Sequence, residues 1–257
     1  MLNQILATKK KEIAELVQPK PLEVKHYSLY EALNKCRRHI GLIAEVKKAS
    51  PSKGIIKEDF NPLQIALGYE RAGADAISVL TDQTYFQGSV DYLSQIKQHV
   101  QIPVMRKDFI ISFAQIDETK NIGADALLLI VGTLPIEELK ELYDYSYSLG
   151  LECLVEVHSE EDLHILLACF TPAILGINNR NLKTFKTDLA QTKEMIPLIS
   201  RDTLVVSESG IATAADIDFV ALAGAKAILI GETFMRASSP EQGIYELLGG
   251  ELDVTKT

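Results

Sequence analysis

The chain has 257 residues, 47% of them hydrophobic and 24% charged, with a formal net charge of −9. That suits one large α/β domain or two small ones, and the acidic balance argues against a nucleic-acid partner without excluding an anionic small ligand held by local Lys and Arg. Cys36, Cys153 and Cys169 lack CxxC or Cys/His metal spacing and read as reduced thiols of a cytoplasmic protein, no run is apolar and long enough to span a membrane, and the N-terminus lacks a signal-peptide core.

Residues 2–17 pattern as an amphipathic helix, with Leu2, Ile5 and Leu6 on one face and Ile13 and Leu16 continuing it. The lysine run at 9–11 reads as its solvated side. Residues 18–28 hold two prolines and read as a loop, after which Ser28 can cap a second helix running to Lys35. Strands are then expected at 41–47, 76–81, 103–108, 126–131, 152–158, 174–180, 204–209 and 227–232. Helices are expected at 62–72, 90–99, 113–121, 136–148, 160–169, 189–199, 214–223 and 241–248. Asn61 before Pro62, Ser159 with Asp162, and Pro135 with Glu137 and Glu138 supply helix-start chemistry. Strict alternation implies parallel strands joined by right-handed crossovers.

An internal repeat favours closure into a ring over an open sheet. Gly73, Gly123 and Gly224 each sit in a short Gly-Ala turn that opens an apolar strand, 50 and 101 positions apart. With a βα unit of about 25 residues, these spacings are two and four units of an eightfold array. The fold class is therefore α/β, a (β/α)8 barrel with an extra N-terminal helical segment (1–40), a barrel over 41–250 and a tail at 251–257.

Nearly every strand turns polar at its C-terminal end. GLIA runs into Glu45-Val46-Lys47, PVM into Arg106-Lys107-Asp108, CLV into Glu156-Val157-His158, LGI into Asn178-Asn179-Arg180 and LVV into Ser207-Glu208-Ser209. Strands buried on both faces should stay apolar, so these ends define one shared polar mouth, the face where barrel active sites sit. Glu45 and Lys47 are two apart and point to the same side. Lys47, Lys107 and Arg180 form a cation cluster able to hold an anion or protonate an oxygen, and crowding is expected to lower a lysine pKa toward neutrality. Glu45, Glu156 and Glu208 supply compensating charge and a candidate base; a purely structural charge network is the competing reading. Ser209-Gly210-Ile211 and Gly231-Glu232 follow the seventh and eighth strands, where barrels bind phosphate through backbone N–H groups. Glu232 would serve through its backbone, with its carboxylate turned away. Phe86, Phe109 and Phe113 lie just after strand ends, where a ring could be sandwiched or could merely fill core. His158 reads as a held strand-end histidine, and nothing in the chain demands a metal or redox cofactor.

At these residues the chain resembles the indole-3-glycerol phosphate synthase family of tryptophan biosynthesis. The resemblance rests on IAEVKKASPSKG (43–54), LTDQTYFQGS (80–89), RKDFI (106–110), LVEVH (154–158), GINNRNLKTF (176–185), SESGI (207–211) and LIGETFM (229–235), in order along the chain. It implies a cofactor-free, decarboxylating and dehydrating ring closure of 1-(2-carboxyphenylamino)-1-deoxyribulose 5-phosphate. It also implies that the N-terminal segment packs over the barrel mouth. Lys107 matches the family's general acid and Glu156 its general base. Glu45 and Lys47 match the pair that positions the reacting groups. Ser50, Asn178 and Arg180 match substrate contacts; Gly210, Gly231 and the backbone of Glu232 match the phosphate cradle, with Glu208 and Ser209 nearby. Lys53, in the first loop, is grouped with the phosphate ligands, and Phe86 and Phe109 with the substrate contacts. Two departures stand out: Ser112-Phe113-Ala114-Gln115 replaces the usual Asp-Pro-Tyr-Gln, and Glu232 stands where relatives often carry Ser.

The nearest enzyme alternative is a phosphoribosylanthranilate isomerase-like barrel. That chemistry needs a Cys/Asp pair at the ends of strands one and five, where this chain has Glu45, Lys47 and Glu156. The other is a non-catalytic barrel binding a phosphorylated metabolite, which need not retain an acid and a base. The expected partner is a small phosphorylated substrate, with no nucleic acid or membrane, in a monomer or weak homodimer.

Overall fold

The computed structural model describes residues 1–181 and 186–249. Expectations for 182–185, within the GINNRNLKTF motif, and for the tail at 251–257 lie outside the described residues.

Eight parallel strands close in sequence order into a barrel: Gly41–Val46, Ala76–Leu80, Val104–Lys107, Ala126–Ile130, Glu152–Val157, Ile174–Asn178, Leu204–Glu208 and Ala227–Ile230. The ring shuts where Gly41 to Ala44 pair with Ala227 to Ile230. The crossover helices are Pro62–Arg71, Val90–Lys97, Phe113–Asn121, Ile136–Ser148, Glu160–Cys169, Ala190–Met195, Ala214–Ala223 and Pro240–Leu248. Asn61 and Ser159 accept the backbone N–H groups of Gln64 and Asp162, as their positions before the helices require. Gly73, Gly123 and Gly224 all have positive φ (83°, 87° and 112°), so the repeated glycine is the left-handed residue that turns each helix into the next strand.

Five local features depart from the sequence-based reading. The sixth crossover helix stops at Met195 and continues as a 3-10 turn, Ile196–Leu198, because Pro197 has no N–H for the α ladder. The first loop folds into a small hairpin of Ala49–Ser50 against Gly54–Ile55. A short helix, Gln83–Phe86, follows strand two, and another, Glu232–Arg236, follows strand eight. The N-terminal helix, Leu2–Ala14, is shorter than the pattern suggested.

The barrel interior is filled by inward side chains such as Ile43, Met105, Leu128, Leu154, Ile174, Val206 and Leu229. Two larger apolar clusters lie between the strands and the helical ring. The N-terminal segment reaches both ends of the barrel. Met1, Leu2, Asn3 and Ile5 border the cavity at the mouth. The second helix, Leu29–Asn34, instead plugs the opposite end with Leu29 and Leu33, and Ser28 and the Tyr30 N–H bind Glu152 at the start of strand five. Of the two helices in the N-terminal segment, the first therefore borders the mouth and the second does not. No helix among the described residues is long and apolar enough to cross a membrane.

Candidate active site

A cavity of about 840 Å³ opens at the C-terminal ends of the strands. Period-2 alternation explains what lines it. Glu45 on strand one and Lys47 just beyond its end both line the cavity, and the Lys47 ammonium contacts Glu45 Oε1. On strand three Lys107 points inward. Its neighbours Arg106 and Asp108 instead join a buried network in which Thr81 Oγ1 donates to Asp108 and accepts from Arg106 Nε. Lys107 Nζ is 2.7 Å from Glu208 Oε2 on strand seven and 3.2 Å from Glu156 Oε2 on strand five. His158 Nε2 lies 2.8 Å from the other Glu156 oxygen.

Two glycines make room for this cluster. A β-carbon on Gly176 would collide with Glu208 Oε1, and one on Gly231 would collide with the Glu45 carboxylate. The close approach that Gly231 permits is thus to the buried Glu45 side chain.

Electrostatics reverse one expectation. Burial disfavours the Lys107 charge, but Glu208, Glu156 and Glu45 outweigh it and hold the ammonium pKa well above its usual value. The groups that act most on it are these carboxylates rather than the cations foreseen as crowding it, so no lowering toward neutrality occurs. Burial likewise opposes ionisation of Glu45, yet Lys47 and Lys107 keep it below the ordinary carboxyl range. Glu156 and Glu208 share one ammonium and cannot both be comfortably ionised. Burial is the largest influence on each: Lys107 and His158 hold Glu156 low, whereas Glu208, with the Glu156 charge beside it, is pushed up to about 8. The lysine is thus held protonated, and the carboxyl pair favours holding one proton between them, with Glu208 the member pushed upward.

Around this centre the cavity collects Ser50, Phe86, Phe109, Asn178, Arg180, Ser209, Gly210, Gly231 and Glu232. Phe86 and Phe109 stand with ring centroids 6.3 Å apart. Phe113 is outside the cavity, edge-on against Tyr145 and 46% exposed. Asn178 Oδ1 accepts the Arg180 N–H, while Asn179, buried, ties strands six and seven together through Ser207, the Glu208 carbonyl and Thr192. Ser209 and Gly210 are both left-handed (φ 66° and 85°), turning the chain sharply beside the mouth. Gly231 is the N-cap residue of the short helix at Glu232, whose carboxylate turns to the rim to take Arg236 Nε at 3.0 Å. Lys53 is not on the cavity wall; its ammonium is 3.8 Å from that same Glu232 carboxylate. The altered loop after strand three is still held by Gln115, whose amide accepts from Ile111 N–H and donates to the Phe109 carbonyl.

Sequence reading missed Lys9. It is 3% exposed rather than solvated, and its ammonium contacts Glu12, Asp82 and Asp108 at 2.7–2.9 Å. Its place four residues after buried Ile5, on the same helix face, was the available signal.

Fold and site together define a closed (β/α)8 barrel with a lysine–carboxylate cluster in the cavity at the C-terminal ends of its strands, the face where barrel enzymes carry their sites. The sequence model for indole-3-glycerol phosphate synthase matches residues 2–247. Relatives carrying that name include one from Halalkalibacterium halodurans, 61% identical over 251 residues and 98% of each chain. Another, from Geobacillus kaustophilus, is 56% identical over 252 residues and 98% of each chain. The chain belongs to the indole-3-glycerol phosphate synthase family. Distant solved structures share the barrel alone. A 3-hexulose-6-phosphate synthase from Salmonella typhimurium superposes with TM-score 0.63 at 12% identity, over 81% of this chain and 96% of that one. A tryptophan synthase complex from Pyrococcus furiosus gives 0.59 at 16%, over 81% and 98%.

Proposed function

We propose that this chain is a carbon–carbon lyase that closes the pyrrole ring of 1-(2-carboxyphenylamino)-1-deoxyribulose 5-phosphate, yielding indole-3-glycerol phosphate, carbon dioxide and water. The observation that carries this reading is Lys107, held protonated between Glu156 and Glu208 at the floor of the mouth. The aromatic carbon bearing the carboxylate attacks the ketone carbon, and Lys107 delivers a proton to the ketone oxygen as it becomes a hydroxyl. The carbon–carboxylate bond then breaks, its electron pair restoring the ring and releasing carbon dioxide. Loss of the hydroxyl as water needs a proton on oxygen and removal of one from carbon; ionised Glu156 is the base and Lys107, reprotonated, the acid. Glu45 and Lys47 orient the amine and carboxylate. Phe86 and Phe109 border the ring, and Ser50, Asn178 and Arg180 hold the polar substituents. The phosphate sits at Gly210, Gly231 and the Glu232 N–H, with Lys53 at the rim and Ser209 shaping the turn. This distant dianion contributes orienting energy. The extension at 1–40 and the barrel act as one domain, a cytoplasmic monomer or weak homodimer serving amino-acid biosynthesis.

The test is to mix the purified chain with that substrate, without added metal or nucleotide. Indole fluorescence and carbon dioxide should appear in equal amounts. Tight binding with neither product would instead favour a metabolite-binding barrel.

A further inference from the structure

Lys9 is the one cation in the N-terminal helix that is fully withdrawn from solvent, and its three partners come from three places. Its Nζ is 2.8 Å from Glu12 Oε2 in its own helix, 2.7 Å from Asp82 Oδ2 after strand two, and 2.9 Å from Asp108 Oδ1 after strand three. Both aspartates are essentially inaccessible, with side chains 0% and 1% exposed. Two such carboxylates converge only if a cation lies between them. Each also fixes the backbone of one of the cavity's aromatic residues. Asp82 Oδ1 accepts the N–H groups of Tyr85 (2.7 Å) and Phe86 (3.2 Å), capping the short helix that carries Phe86. Asp108 Oδ1, the same oxygen that meets Lys9, accepts the Phe109 N–H at 2.8 Å. Asp108 Oδ2 is already engaged by Thr81 Oγ1 at 2.6 Å and Arg106 Nη2 at 3.2 Å. The loop after strand three is therefore anchored to the barrel, while the loop carrying Phe86 is drawn to it through the ammonium.

We propose that Lys9 is a positioning residue for the substrate's aromatic ring: by bridging Asp82 and Asp108 it sets the separation of Phe86 and Phe109. It ties that separation to the seating of the helix whose first turn borders the same cavity. Lys9 touches no substrate; it acts through the two aspartates. Thr8 Oγ1 against the Tyr85 hydroxyl (2.9 Å) and Thr84 Oγ1 donating to Glu12 (3.3 Å) give the helix two further contacts to the Phe86 loop. The inference rests on the reading that the substrate ring lies between Phe86 and Phe109.

The test compares two competitive inhibitors on the full chain. One is the reduced, non-cyclising carboxyphenylamino-deoxyalditol phosphate, which carries ring and phosphate. The other is glycerol 3-phosphate, which carries the phosphate alone. Lys9→Met should raise the inhibition constant of the ring-bearing compound by about tenfold and that of glycerol 3-phosphate by less than about twofold, a split expected from loss of ring contacts alone. KM should rise more than kcat falls. Lys9→Met/Asp82→Asn removes the stranded carboxylate while keeping an oxygen to cap Phe86. It should be as heat-resistant as the wild type, yet keep the ring-selective defect. Parallel weakening of both inhibitors, unchanged binding of both, or a double variant that does not fold would make Lys9 a residue of stability only and overturn the proposal. Phe86→Ala separates the two levels. If it leaves the ring-bearing inhibitor unaffected, the ring site itself is wrongly placed. If it weakens that inhibitor and Lys9→Met does not, only the role of Lys9 fails.

Discussion

Lys107 Nζ stands 2.7 Å from Glu208 Oε2, and Glu208 can occupy that position because Gly176, on the adjoining strand, has no side chain. Any β-carbon at 176 would overlap Glu208 Oε1 and push the carboxylate off the ammonium. Gly176→Ala is therefore expected to cost roughly 1–3 kcal/mol of stability by overpacking and to lower turnover. Shortening Glu208 to Asp in the same chain should recover at least part of that stability. A double-mutant cycle read by denaturant unfolding measures the coupling; strictly additive effects would show that the two residues do not compete for space.

The proton on Glu208 gives a pH dependence with a definite sign. Its folded pKa, about 8, lies above the value near 4.3 expected of an unfolded glutamate. The folded state thus binds the extra proton, so this contribution to stability is complete below about pH 4 and fades as pH rises through about 8. Between about pH 6 and 8 the wild type should lose about 2 kcal/mol that Glu208→Gln does not lose. Chemical denaturation at both pH values checks this, and identical slopes for the two proteins would place the proton elsewhere.

The opposite end of the barrel holds a buried pair that should matter for stability alone. Lys97 Nζ is 2.5 Å from Asp125 Oδ2, which also accepts the Val104 N–H, while Asp125 Oδ1 takes the Tyr27 N–H and His26. Lys97→Met strands a carboxylate that fastens the 18–28 segment, at an expected cost of about 3–5 kcal/mol. Because this site is remote from the mouth, kcat/KM measured well below the melting temperature should stay within about twofold of wild type. A larger fall would mean that this end of the barrel is coupled to the cavity.

Much of this architecture was legible before folding. Strand alternation placed Glu45, Lys47, Lys107, Glu156 and Glu208 on one rim, because period 2 and parallel register leave little freedom. The fixed glycine phase announced the barrel. What failed was anything decided by distance across the ring. Lys107 was grouped with cations at the same level, yet the groups that reach it are carboxylates from strands five and seven, and they reverse its pKa shift. Lys9 was read as solvated because its partners, Asp82 and Asp108, lie far along the chain. Gly176 carries no sequence signal, since the need for an absent β-carbon appears only once Glu208 leans over it.

Lys107→Met tests the central claim most directly. With the carboxyphenylamino-deoxyribulose phosphate as substrate, indole formation followed in single turnover should fall at least about 100-fold, while binding of the substrate weakens far less. The variant should also become more stable as pH falls from about 8 to 5, because Glu208, deprived of its ammonium and left beside Glu156, is buried as a neutral acid. Indole formation at the wild-type rate would show that the proton donor is another group and that the cluster around Lys107 is structural.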